Sequence, residues 1–223
     1  TIERMIHFDC SHYVGYKPCK HKRLCEGCDL YDKVQARILV IKLGALGDLL
    51  RTTPILPSLK AHYPKSKVTW ITSADCTPLL LNLPEIDRLW VTDENVTALV
   101  LAEKFDLVIN LDKDTPAVEL ATIANATEKR GFGLTEGGAL TTLNTASEYA
   151  LALGLDDELK FHRNDKTYQQ IIHEMAELKP FGAMPNYQVR LTKAELKFGA
   201  DWLAETLHGR DNHIVLGISP GAG

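Results

Sequence analysis

Apolar and polar residues along this chain fall into blocks with two different rhythms. Residues 37–43 (Arg-Ile-Leu-Val-Ile-Lys-Leu) are a short β-branched run ending at Gly44, the pattern of a strand buried on both faces. Residues 68–72, 88–91 and 106–111 read in the same way. Between them, helical spacing predicts helices near 49–63, 76–83, 95–104 and 115–126. Strand–helix alternation of this kind predicts an α/β fold, a Rossmann-like parallel sheet with helices on both faces. Residues 144–153 and 167–178 read as later helices, the second with an apolar stripe of Tyr168, Ile171, Ile172 and Met175. Residues 187–191 read as a strand, and Thr192-Lys193-Ala194-Glu195 as a capping box that opens a helix running to Leu207. Residues 214–218 read as one more buried strand.

The first 34 residues follow neither rhythm, and their chemistry lies in cysteine. Cys10, Cys19, Cys25 and Cys28 cluster there, while the fifth cysteine, Cys76, stands apart and reads as a small buried apolar residue. No continuous apolar run marks a secretory signal, so the expected compartment is the cytosol, where clustered thiols bind metal more often than they pair. The two-residue gap of Cys25-Glu26-Gly27-Cys28 lets both sulfurs reach one ion, and Cys10 and Cys19 complete a tetrahedral set. A structural zinc is the expectation. An iron–sulfur cluster on the same four thiolates is the alternative, unliganded thiols are the bland reading, and His7, His12 and His21 are spare ligands.

Composition narrows the function classes. At 45% apolar and 24% charged residues the chain is that of a soluble globular protein, and its net charge of −4 argues against nucleic acid as a partner. The basic stretch 17–23 is offset by Asp9, Glu26, Asp29 and Asp32, so it reads as a solvated loop, with a peripheral contact to anionic lipid as a further option. No stretch reaches the length of a membrane span.

The turn Gly44-Ala45-Leu46-Gly47-Asp48 sits where the first strand of the sheet passes into its first helix, and ligands bind at that edge of open parallel sheets. Its glycines are expected to let backbone approach a ligand and to adopt positive φ. The turn matches neither the dinucleotide fingerprint nor the P-loop. Asp48 reads either as a helix cap or as a general base that takes a proton from a substrate hydroxyl. Arg51, Thr52 and Thr53 are candidates to line the same cleft, and Pro57 is expected to distort that helix and shift Asp48. Asp112, Lys113 and Asp114 follow the strand 106–111 and are placed to orient sugar hydroxyls or to form a solvated loop. The run 129–133 reads as a cation-bearing turn, and His162 and His173 as surface or boundary residues.

RILVIKLGALGDLLRTTPILPSLKAHYP (37–64), followed by KVTWIT, DLVINLDKD, NTASEYALALGL, NDKTYQQIIHEMAEL and GISPGAG, resembles glycosyltransferase family 9, the lipopolysaccharide heptosyltransferases and their relatives. The cysteine-bearing start resembles an N-terminal extension of a subset of that family. The resemblance implies a GT-B architecture of two Rossmann-like domains, with glycolipid acceptor bound by the first and nucleotide-sugar donor by the second. It also implies inversion at the anomeric carbon without a catalytic metal, on the cytoplasmic side of the inner membrane, with Asp48 as base; one residue can still serve as base and cap. The alternative function is a non-catalytic interaction module carrying a structural metal. On this reading residues 1–34 are the metal-binding extension, 35–210 the acceptor domain and 211–223 the start of a donor domain in which Gly221, Ala222 and Gly223 would meet the donor. The chain begins without Met and stops inside that glycine-rich turn, so a fragment that binds acceptor and transfers nothing is expected.

Overall fold

In the computed structural model, which describes residues 5–180, 182–207 and 216–218, the apolar run after Gln35 forms β1 (Ala36–Ile41). The other strands are β2 (Ser66–Thr72), β3 (Arg88–Val91), β4 (Lys104–Asn110), β5 (Asn125–Leu134) and β6 (Leu140–Thr142). They make one sheet in the order β3-β2-β1-β4-β5-β6. Pairing is parallel from β3 to β5, and the edge strand β6 alone pairs antiparallel. The expected Rossmann-like α/β fold is therefore the one observed.

The two-residue period of the strands sorts the core into two layers. Ile38 and Val40 of β1, Val68 and Trp70 of β2, and Leu107 and Ile109 of β4 face one side. There they pack with α1 (Leu46–Thr52), α2 (Ile55–His62) and α7 (Tyr168–Met175). Leu39, Ile41, Ile71 and Val108 face the other side, against α4 (Val96–Ala102) and α5 (Thr115–Ile123). Short α3 (Thr77–Leu80) and α6 (Glu148–Ala152) complete the first layer. In the stripe of α7, Ile171, Ile172 and Met175 are buried and Tyr168 is half-buried; Cys76 is buried as expected, at 2% exposure.

Several elements depart from the sequence pattern for identifiable reasons. The helix expected over 49–63 is two helices, because Pro54 has no N–H to continue α1 and instead stands at the N-cap of α2. Pro57 falls in the first turn of α2, where backbone N–H groups need no helical partner, so it leaves α2 intact and lies in a different helix from Asp48. Residues 129–133 lie inside β5, not in a turn. Gly131 has φ +94°, and a Cβ there would overlap the Asn110 backbone of the neighbouring strand. His173 is buried, not superficial: its Nε2 lies 3.0 Å from Ser58 Oγ and its Nδ1 2.8 Å from the Gln169 carbonyl.

By compactness the chain divides into a unit through Val189 and a second from Arg190 onward. In the second, α8 (Lys193–Leu207) opens on the expected box: Glu195 N–H donates to Thr192 Oγ1 (3.2 Å), and Thr192 N–H to Glu195 Oε2 (2.7 Å). Residues 187–191 carry no regular structure, in place of the expected strand. Residues 216–218 are also irregular, and the rest of the strand expected at 214–218 lies outside the described residues, as do Gly221, Ala222 and Gly223.

Candidate functional site

β1 and β4 are neighbours, but the helices that follow them pack on opposite faces of the sheet. That divergence opens a crevice beyond their carboxyl ends, where open α/β sheets bind ligands. A cleft of about 560 Å³ lies there. Its walls are Lys42 at the end of β1, Asp48 and Arg51 of α1, Asp112 and Lys113 after β4, Lys160, Lys166, and the Tyr168–Ile171–Ile172–Met175 face of α7.

The floor is a buried ion pair. Lys42 Nζ stands 3.0 Å from Asp112 Oδ2, both side chains only 7% exposed, and the same oxygen accepts from Leu43 N–H at 3.0 Å. Asp112 Oδ1 accepts from Asp114 N–H at 3.3 Å. Burial would raise the Asp112 carboxyl, but the Lys42 charge and these donors outweigh it and hold it below its usual value. Asn110 sets the loop: Nδ2 donates to the carbonyls of Asp112 (2.9 Å) and Phe132 (2.8 Å), and Oδ1 accepts from Asp112 N–H (3.0 Å). Asp112 thus borders the cleft with both oxygens engaged in fixing it, and Asp114 is an exposed residue at the N-cap of α5.

Asp48 occupies the mouth. It is the third residue of α1, whose N-cap is Ala45, and it makes no cap bond, so the capping reading is not the one observed. Its Oδ1 accepts from Arg51 at 3.2 Å, with both side chains about half exposed. A pair that exposed contributes little and leaves the carboxylate accessible to an incoming donor. The Arg51 guanidinium also lies 4.0 Å over the Tyr168 ring. Burial, with Asp48 adding to it, pushes the Tyr168 hydroxyl up to about 12, so it stays a proton-bearing donor.

Cations outnumber carboxylates around the wall. Lys113 Nζ donates to the Ala150 carbonyl (3.0 Å), 4.9 Å from the Phe132 ring, and burial followed by repulsion from Lys160 lowers its pKa. Lys166 is paired with Glu174 at 2.6 Å. An anionic ligand is the natural occupant of such a wall.

Not every expected site residue is here. Gly44, Ala45, Leu46 and Gly47 do not border the cleft. Neither glycine has positive φ, and a Cβ on either would meet open space, so the expected steric need for glycine is not observed. Thr52 and Thr53 are fully buried with their hydroxyls bonded to the carbonyls of Leu49 and Leu50, which removes them from the cleft. Sequence reasoning missed Lys42, Asn110, Lys160 and Lys166 and saw Tyr168 only as core; a lysine inside a strand buried on both faces was the available signal for Lys42. Cys10, Cys19, Cys25 and Cys28 are free thiols at a separate small void. Among the described residues no three His, Cys, Asp or Glu side chains are arranged to hold an ion, and no helix is long and apolar enough to cross a membrane.

No family model matches the chain. It is 31% identical over 96 residues to lipopolysaccharide heptosyltransferase 3 of Escherichia coli, a match covering 37% of this chain and 28% of that protein. The protein of the same name from strain K12 is 36% identical over 78 residues, 29% of this chain and 23% of the relative. The chain thus spans less than a third of the length of these curated relatives. Among solved structures it is similar to the glycosyl transferase family 9 protein from Veillonella parvula DSM 2008, at TM-score 0.56 and 21% identity, over 78% of this chain and 50% of that one. What the chain shares with that protein is the fold: a mostly parallel, helix-flanked sheet corresponding to half of a family 9 glycosyltransferase.

Proposed function

We propose that this chain is the acceptor-binding half of an inverting glycosyltransferase, acting on a lipopolysaccharide-core or other glycolipid hydroxyl at the cytoplasmic face of the inner membrane. The donor is a nucleotide-diphosphate sugar, heptose-like, held by a second half that faces this cleft. Asp48 accepts the proton of the acceptor hydroxyl as its oxygen attacks the anomeric carbon. The bond from that carbon to the diphosphate breaks, and the nucleoside diphosphate leaves with the bonding pair. Arg51 and Tyr168 orient the hydroxyl, and Lys113 and Lys160 meet acidic groups of the acceptor. The partial matches to lipopolysaccharide heptosyltransferases support this reading.

The observation that carries it is a half-exposed carboxylate at the mouth of a cation-rich cleft, at the strand ends where the sheet reverses its winding. The test is transfer kinetics of Asp48→Asn in the protein that joins this chain to a nucleotide-sugar-binding half. Loss of a general base predicts a kcat lower by about 10²–10⁴-fold with acceptor KM little changed. Undiminished kcat would remove Asp48 from the role.

A further inference from the structure

We propose that Cys10, Cys19, Cys25 and Cys28 bind one zinc ion as a tetrathiolate that holds residues 5–33 in their fold. Within this stretch the only buried side chains are Cys19 and Cys25, each 8% exposed. Most of its large apolar side chains, Met5, Phe8, Val14, Tyr16 and Leu24 among them, are exposed instead, while Ile6 and Tyr13 are half-buried. Its pairing amounts to two isolated bridges, Cys10 with Lys33 and Tyr13 with Cys19, and each uses a cysteine. A segment with so little apolar burial cannot offset the entropy of ordering its own loops, and a metal is the usual substitute for the missing core.

The backbone around the thiols is already shaped for an ion. Cys28 N–H donates to the Cys25 carbonyl (3.0 Å) around Gly27, whose φ is +63°, and Lys22 N–H donates to the Cys19 carbonyl (2.9 Å) with Lys22 at φ +56°. All four cysteines border one void of about 10 Å³, and none is in a disulfide. The thiols border the void without having converged, so binding closes them inward to Zn–S distances of about 2.3 Å on turns that are already formed. His7, His12 and His21 border the same void and are spare ligands beside the four thiolates. His7 stacks on Tyr31 at 4.3 Å, and His12 and His21 pack edge to face at 4.8 Å. A tetrathiolate zinc centre is dianionic, and Arg23, which pairs with Asp29 at 3.1 Å, borders the void with the cysteines.

Position makes this metal structural. The segment is tied to the amino-end edge of the sheet, through Asp32 Oδ1 to Lys65 Nζ (3.1 Å) and Gln35 N–H to the Lys65 carbonyl (2.9 Å), just before β2 begins. The cleft lies at the opposite, carboxyl-end edge of the same strands.

The experiment is elemental analysis of the full chain purified under reducing conditions without added metal, paired with alkylation of the native protein. The expected result is about one zinc per chain, with the four clustered thiols resisting alkylation until a chelator is added. Cobalt(II) added to the chelated chain is expected to give the intense visible bands of a tetrahedral thiolate site, and Cys25→Ser/Cys28→Ser to abolish both metal and bands. Iron with acid-labile sulfide would overturn the assignment to zinc. A folded, metal-free chain whose clustered thiols react without chelator would overturn the site altogether. Because the cleft plays no part, neither outcome bears on Asp48.

Discussion

Replacing Lys42 by Met probes the floor of the cleft directly. The substitution keeps the length of the stem but strands Asp112, whose side chain is only 7% exposed, without its countercharge. Removing one member of a buried pair costs about 3–5 kcal/mol, and the N–H donors from Leu43 and Asp114 that remain on the carboxylate favour the lower end. With a urea m-value of about 2–3 kcal/mol/M, the unfolding midpoint should fall by roughly 1–2.5 M at pH 7. The effect also has a sign in pH. In the unaltered chain Asp112 is held below its ordinary 3.8, so its contribution is present above that value and is lost as pH falls through the lower folded value. Without Lys42 the dominant remaining influence is burial, which raises the carboxyl, so the variant protonates Asp112 earlier and its deficit narrows between pH 7 and pH 4. Adding Asp112→Asn should recover roughly half or more of the loss. Urea melts at the two pH values decide the matter: a deficit below about 1 kcal/mol, or one indifferent to pH, refutes the reasoning.

Three further outcomes follow from the same geometry. Gly131→Ala should destabilise by at least about 2 kcal/mol, seen as a lower Tm, because a positive φ and the Asn110 backbone both oppose a Cβ. Burial, with His62 adding to it, holds His173 below its ordinary 6.5. The unfolded chain therefore gains the proton first, and stability should fall as pH drops from 7 through the folded value; stability against pH for His173→Gln should lack that component. Lys113→Ala or Lys160→Ala should each weaken binding of a phosphate-bearing core oligosaccharide about tenfold or more and flatten its salt dependence, as titration calorimetry at two ionic strengths would show.

The central strands were legible because β1, β2 and β4 are apolar on both faces, and burial leaves such runs little alternative. β5 was not, because its first half, Asn-Ala-Thr-Glu-Lys, is polar and mostly exposed and only its second half enters the core. Over 49–63 an apolar period continues across Pro54, where the missing N–H ends α1 and the proline stands at the N-cap of α2. Asp48 lies beyond the end of β1 as its place in the chain suggested, yet its cap reading failed because the helix already begins at Ala45, three positions before Asp48. Lys42 and Asp112 are 70 residues apart, and no local pattern announces their pairing. Thr52 and Thr53 looked available on a polar first turn, whereas the chain turns them inward to its own carbonyls.

A crystal structure of this chain with a lipopolysaccharide-core oligosaccharide would test the account most directly. The account predicts an acceptor hydroxyl about 2.6–3.2 Å from an Asp48 oxygen, with acidic groups of the sugar at Lys113 and Lys160. An oligosaccharide seated away from the ends of β1 and β4, or one bound there with no hydroxyl near Asp48, would contradict it.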